Sequence, residues 1–218
     1  MFETEGAEDA IVVLRGATVG YRYDTDFELP FRQESRFWYL TGVSEPDYSA
    51  IFVPKTGEFH LFAPNRETSY AVWNGRIRSQ EEIQELYQPD VLHLTSSLQS
   101  VVDELAPTRV FTTSKGDLDT LGVTLPKGCE VDHRSVIDIL TLCRLHKSEG
   151  ELERIRFANK ANCLAHEAVL RAIKPGAWEY QMKGVLEGAL LEQGLQFPAY
   201  NGIYASGTNS AILHYVVN

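Results

Sequence analysis

Cysteine is scarce in this 218-residue sequence. The three present, Cys129, Cys143 and Cys163, are odd in number and far apart, and no Cys-x-x-Cys pair occurs. That argues against a disulfide framework and against a cysteine-built zinc site, and it makes a reducing, cytoplasmic setting the expectation. No apolar run approaches the roughly 18–20 residues of a membrane span, so no membrane partner is expected. The acidic stretch Met1–Asp9 lacks the basic-then-apolar order of a signal peptide. Positive charge is also short. The 20 basic residues face 30 acidic ones, a formal charge of −10. Nucleic acid is therefore an unsuitable partner, because phosphate contacts need clustered Lys and Arg. Dinucleotide and P-loop glycine patterns, His-Glu-x-x-His and Gly-x-Ser-x-Gly are all missing, which removes the commonest readable catalytic motifs.

What is there is the composition of a globular chain. Hydrophobic residues make up 44% of it, enough for a sizeable core in one large domain or two small ones. Ala10–Leu14 is a short apolar run that reads as a buried strand. Tyr48–Val53 and Glu58–Ala63 flank Pro54-Lys55-Thr56-Gly57, whose Pro and final Gly suit a tight hairpin turn. Ser79 and Glu82 have capping-box spacing ahead of a short helix. Strand at 90–94, helix at 97–105, strand at 109–113 and helix at 135–143 follow. This interleaving predicts an α/β domain with a mixed sheet and flanking helices. A boundary is expected at 145–148, dividing residues 1–146 from 147–218. Ser148 and Glu151 repeat the capping box. Leu152, Ile155, Ala158, Ala165 and Val169 then recur at near-helical spacing up to the Pro175-Gly176 stop. A second helix is expected over 179–193, and strand-like runs over 199–206 and 210–215.

Six histidines occur, none within four residues of another, so none pair as ligands on one helix face. His60 and His93 fall in expected strands and His166 in mid-helix, and all three read as structural. His133 and His146 read as surface or boundary residues. His214 differs in its setting. It follows the polar turn Ser206-Gly207-Thr208-Asn209-Ser210 at the end of a strand-like run, a position from which an imidazole can point into a cleft.

The segment Ser206–Tyr215 (SGTNSAILHY) resembles the Gly-Ser-Gly-x-Asn-x-x-x-Leu-His-Tyr stretch of Xaa-Pro metallopeptidases, the prolidase and aminopeptidase P family. Phe31–Ser35 (FRQES), Phe37–Gly42 (FWYLTG) and Glu45-Pro46 resemble the hallmark of that family's N-terminal domain. Leu61–Pro64, Trp73–Ile77, Arg144–Glu149, Lys174-Pro175-Gly176 and Glu179-Tyr180 fall in the family's order. The resemblance covers nearly the whole chain.

The resemblance implies an N-terminal α/β domain followed by an incomplete α+β pitta-bread domain of the M24 peptidase type. It implies hydrolysis of X-Pro bonds in dipeptides or at peptide N-termini. Proline-containing peptides are then the partners, and a homodimer the expected assembly. Two divalent ions, manganese above all, serve the family, held by two aspartates, one histidine and two glutamates. All of these lie downstream of the His-Tyr segment, after which only Val216, Val217 and Asn218 remain. The expectation is that this chain binds no metal and is inactive alone, as a piece of a longer enzyme or as a non-catalytic binding or dimerisation module of the same fold. Asp132, Asp138 and Glu167 match no ligand motif and read as surface charges. By resemblance His214 contacts substrate, Tyr200 and Ile203 wall the substrate pocket, and Trp73 reaches a partner subunit. Arg32 and Glu34 are expected to fix the fold or the dimer contact. Arg22–Asp26 and Trp73–Ile77 read closer to prolidase, whereas Phe197–Ile203 reads closer to aminopeptidase P.

Overall fold

The computed structural model of the chain describes residues 9–217. It divides into two compact units, one running to Leu145 and the other starting at His146.

In the first unit, β1 (Ala10–Arg15) is the apolar run near the N-terminus. α1 (Ser35–Thr41) follows, then the hairpin β2 (Ser49–Val53) and β3 (Glu58–Ala63). Gly57, at φ +78°, closes that hairpin by donating its amide to the Val53 carbonyl at 2.8 Å. α2 (Tyr70–Asn74), α3 (Gln80–Tyr87), β4 (Val91–Leu94), α4 (Leu98–Leu105) and β5 (Arg109–Phe111) come next. α5 (Asp117–Thr120), β6 (Glu130–Asp132) and α6 (Ser135–Cys143) complete the unit.

The six strands form one mixed sheet in the order β4-β3-β2-β1-β5-β6. The pairs β1–β2 and β2–β3 are antiparallel, and β3–β4, β1–β5 and β5–β6 are parallel. β1 is central and covered on both faces, which is why it reads as an unbroken apolar run. Ala10, Val12 and Leu14 join a core with Phe37, Leu61, Val136 and Leu140, while Ile11 and Val13 join another with Phe62, Val102 and Leu118. Gly16 ends β1 where a Cβ would lie 2.7 Å from the Tyr48 carbonyl oxygen, so no larger residue fits there without moving backbone.

The family-like segment 31–42 is structural in detail. Glu34 caps α1, accepting from the amides of Arg36 at 2.9 Å and Phe37 at 2.7 Å. Its neighbour Gln33 accepts from the Ala17 amide at 2.6 Å and donates to the Glu45 carbonyl at 2.8 Å, tying three loops together. Asp132 is more than the expected surface charge. It accepts from the backbone amide and hydroxyl of Ser135, at 2.9 and 2.6 Å, and so caps α6. These bonds, with one from the Arg134 amide, lower its pKa to about 2. Asp138 and Glu167 are exposed and paired with Arg134 and Arg171.

The second unit consists of α7 (Glu149–Ala172), α8 (Glu179–Glu192) and the segment that follows. Both predicted capping boxes form, Ser79 with Glu82 and Ser148 with Glu151. The predicted apolar stripe on α7 is only partly covered within this unit. Ala161 and Ala165 are buried, but Ile155 is 44% exposed. The strands expected over 199–206 and 210–215 are absent. A 3-10 turn spans Gly207–Ala211, and the flanking residues are irregular, with His214 in a turn. A strand needs a neighbour to take its backbone groups. Among the described residues of this unit, no strand lies beside the segment. No helix among the described residues is long and apolar enough to cross a membrane.

Candidate active-site segment

The first turn of α8 carries Glu179, whose position at a helix N-terminus suits a carboxylate. Its Oε1 accepts three hydrogen bonds from the 206–209 turn. The donors are the Ser206 amide at 2.7 Å, the Ser206 hydroxyl at 2.9 Å and the Asn209 side-chain amide at 3.0 Å. The same Asn209 amide donates to the Tyr215 hydroxyl at 3.1 Å, and Tyr215 donates to the Val217 carbonyl. The Asn209 amide first, then the nearby Tyr215 phenol and the Ser206 donors, lower the pKa of the Glu179 carboxyl to about 2. It is therefore ionised at neutral pH. The neighbouring Glu179 carboxylate, followed by burial, raises the pKa of the Tyr215 phenol in turn.

His214 sits directly before Tyr215, exposed, and among the described residues no side chain hydrogen-bonds its ring. Tyr200 is 80% exposed and Ile203 is 45% exposed, so neither is a core residue of the unit. All three belong to the 197–215 segment of the second unit. Trp73 lies in the first unit on α2 and is 86% exposed, so ordinary core packing does not account for it either. Beside α2, an open groove of about 920 Å³ is lined by Glu45, Tyr48, Arg66, Tyr70 and Arg78, among others. Its arginines are committed. Arg78 pairs with Glu45 at 2.9 Å and Arg66 with Asp47 at 2.7 Å.

Two histidines that the sequence presents singly are brought together. His60 Nδ1 lies 3.1 Å from His93 Nε2, and the rings are 5° from parallel with centroids 5.3 Å apart. The register of parallel β3 and β4 sets this up, because His60 pairs with Val91 and Phe62 with His93. A centroid separation so much longer than the nitrogen contact places the rings edge to edge. That is the geometry of an N–H···N hydrogen bond, which engages one nitrogen of each ring.

Sequence reasoning noticed Glu179 only as part of a family-like dipeptide and missed its role as the acceptor of the 206–209 turn. A partner 27 residues away leaves no spacing to read. The available signal was a carboxylate in a helix's first turn upstream of a Ser-Gly-Thr-Asn cluster. The family implies divalent ions. Among the described residues, no group of three or more His, Cys, Asp or Glu is placed to hold a metal ion. The donor set does not fit the ions that the family implies.

A mixed-sheet α/β domain followed by a helical unit that presents a Glu-anchored His-Tyr segment defines the class of protein. Residues 2–111 match the family described as aminopeptidase P, N-terminal domain, and residues 153–218 match metallopeptidase family M24. The chain is 35% identical over 213 residues to an Xaa-Pro dipeptidase of Pongo abelii, covering 94% of this chain and 43% of that protein. It is 31% identical over 210 residues to a probable Xaa-Pro aminopeptidase of Talaromyces marneffei, covering 96% of this chain and 45% of the relative. The solved structure of Pseudomonas aeruginosa aminopeptidase PepP superposes with a TM-score of 0.82 at 26% identity, over 98% of this chain and 51% of that one. The chain thus spans about half the length of these relatives or less. It belongs to the Xaa-Pro metallopeptidase family.

Proposed function

We propose that this chain supplies the substrate side of an Xaa-Pro peptidase. The whole enzyme would hydrolyse X-Pro bonds in dipeptides or at peptide N-termini, closer to prolidase than to aminopeptidase P. That bond demands a dedicated site, because the proline nitrogen has no N–H for a peptidase to recognise. His214 donates a hydrogen bond to the substrate, and Tyr200 and Ile203 offer apolar walls to the proline ring. The enzyme works as a cytoplasmic homodimer with two divalent ions, manganese preferred, and Trp73 meets the partner subunit. The observation that carries this reading is the His-Tyr segment. It lies within the M24 match, and its site residues stand exposed rather than packed.

The residues described here do not themselves hold the metals. We therefore expect no turnover from the 218-residue chain alone. The same observation favours a second reading, a non-catalytic binding or dimerisation module of this fold. The purified chain, given manganese, is assayed against Gly-Pro and a longer X-Pro peptide. Turnover that a chelator abolishes refutes the expected inactivity.

A further inference from the structure

The Glu179 carboxylate is the point on which the 206–215 segment converges. We propose that Glu179 is a positioning residue, whose Oε1 locks the 206–209 turn onto α8 and, through Asn209 and Tyr215, sets the conformation in which His214 is presented. The part concerning presentation to substrate rests on the function proposed above. The lock itself rests on geometry alone.

Three donors meet on one oxygen at 2.7, 2.9 and 3.0 Å. Hydrogen bonds to an ionised acceptor are shorter and stronger than neutral ones, so a single carboxylate can order a turn that has little else to hold it. Little else is available here. Tyr200, Ile212, Leu213, Val216 and Val217 are each more than half exposed, so burial does not fix the segment. The backbone contributes a short 3-10 turn, with the Asn209 amide donating to the Ser206 carbonyl at 3.1 Å and Ile212 to Asn209 at 3.0 Å. Asn209 is the hinge of the arrangement. Its one side-chain amide reaches Glu179 in one direction and Tyr215 in the other, so the residue beside His214 is tied to α8 through a single side chain.

The test uses the 218-residue chain and two readouts that involve no turnover: the imidazole resonances of His214, and hydrogen exchange at the Ser206 amide. In the wild type, His214 is expected to give one dispersed set of signals. Glu179→Ala moves them to the position of an unstructured histidine and speeds Ser206 exchange by about tenfold, the effect of losing a hydrogen bond to a charged acceptor. Glu179→Gln keeps an acceptor oxygen in place and restores part of both. Asn209→Ala separates the two links: it moves His214 while largely sparing the Ser206 amide, and it leaves the residues of α8 unchanged. If Glu179→Ala leaves His214 and Ser206 unchanged, the assignment fails. Should Glu179→Ala unfold α8, Asn209→Ala decides, and unchanged His214 signals in that variant overturn the proposal. Absence of X-Pro hydrolysis by the full-length enzyme would count against the proposed activity and leave the lock standing.

Discussion

The five apolar residues of β1 are 0–4% exposed, whereas in the helical unit Ala161 and Ala165 are the buried apolar residues among those described. Leu164, Leu170, Leu191 and Phe197 of that unit remain 45–73% exposed. One chain therefore uses two physical strategies. Up to Leu145, burial on both faces of a sheet fixes the structure. From His146 onward, helix caps and one carboxylate network fix what apolar packing leaves open. The difference matters for function, because the candidate substrate residues all but one belong to the weakly buried unit. Segments that bind or move are drawn from the less stable parts of a fold.

The comparison breaks most directly at a core aromatic. Phe62 is fully buried in a core shared with Val53 and with Leu98, Val101 and Val102 of α4, and Phe62→Ala is expected to cost about 3–5 kcal/mol through lost transfer energy and a residual cavity. Leu170→Ala, at a site 73% exposed on α7, is expected to stay within about 0.5 kcal/mol. Urea titrations of the two variants measure both. Equal losses would show that the helical unit has a hidden core and would end the contrast.

A sharper version uses the same local motif in both units. Ser79 caps α3, accepting the Glu82 amide at 3.3 Å, and Ser148 caps α7, accepting the Glu151 amide at 3.3 Å. Replacing either serine by alanine is expected to cost about 1 kcal/mol of local helix stability. In the sheet unit the loss should appear in cooperative unfolding, because α3 is pinned by buried Ile83. In the helical unit it should appear as faster hydrogen exchange in the first turn of α7, with the sheet unaffected.

How far the sequence reveals all this follows the same division. The sheet strands from β1 to β5 and both capping boxes are legible because burial and caps leave periodic or fixed-offset signals. α1 is not, since its cap is a glutamate and its seven residues are too short for a period to register. β6 is not legible either, because it offers a single apolar residue, Val131, between two carboxylates. The hairpin read into 199–215 is a correction. Apolar alternation states a preference for strand, but a strand exists only where a neighbour accepts its backbone, and local sequence does not say whether one is there. As candidates, Tyr200, Ile203 and Trp73 come only from family resemblance, whereas His214 also stands out by its place after the polar turn. Glu179 and the His60–His93 pair are not legible at all, since both depend on contacts across 27 or more residues.

That histidine pair supplies the smallest expected effect and a difference in acid response between the units. Burial first, and then the neighbouring His60, lower the pKa of His93 from its ordinary 6.5. The charged groups facing the pair are Glu58, 3.9 Å from His60 Nε2, and Glu104 of α4, which opposes the shift. Because the unfolded chain takes up a proton at 6.5 and the folded one does so only at lower pH, the sheet unit is expected to lose stability as pH falls below 6.5. His93→Gln should flatten that loss while keeping a side-chain hydrogen bond to His60. Glu179 has the opposite sign. Its folded value near 2 lies below the ordinary 4.5, so its contribution is full above 4.5 and is lost as pH falls from there towards 2. Between pH 6 and 5, resistance to urea unfolding should therefore weaken while Ser206 stays protected from exchange. Below 4.5 the order of the 206–215 segment should fail as well, and a segment that loosens together with the sheet near pH 6 would mean that the two units do not respond independently.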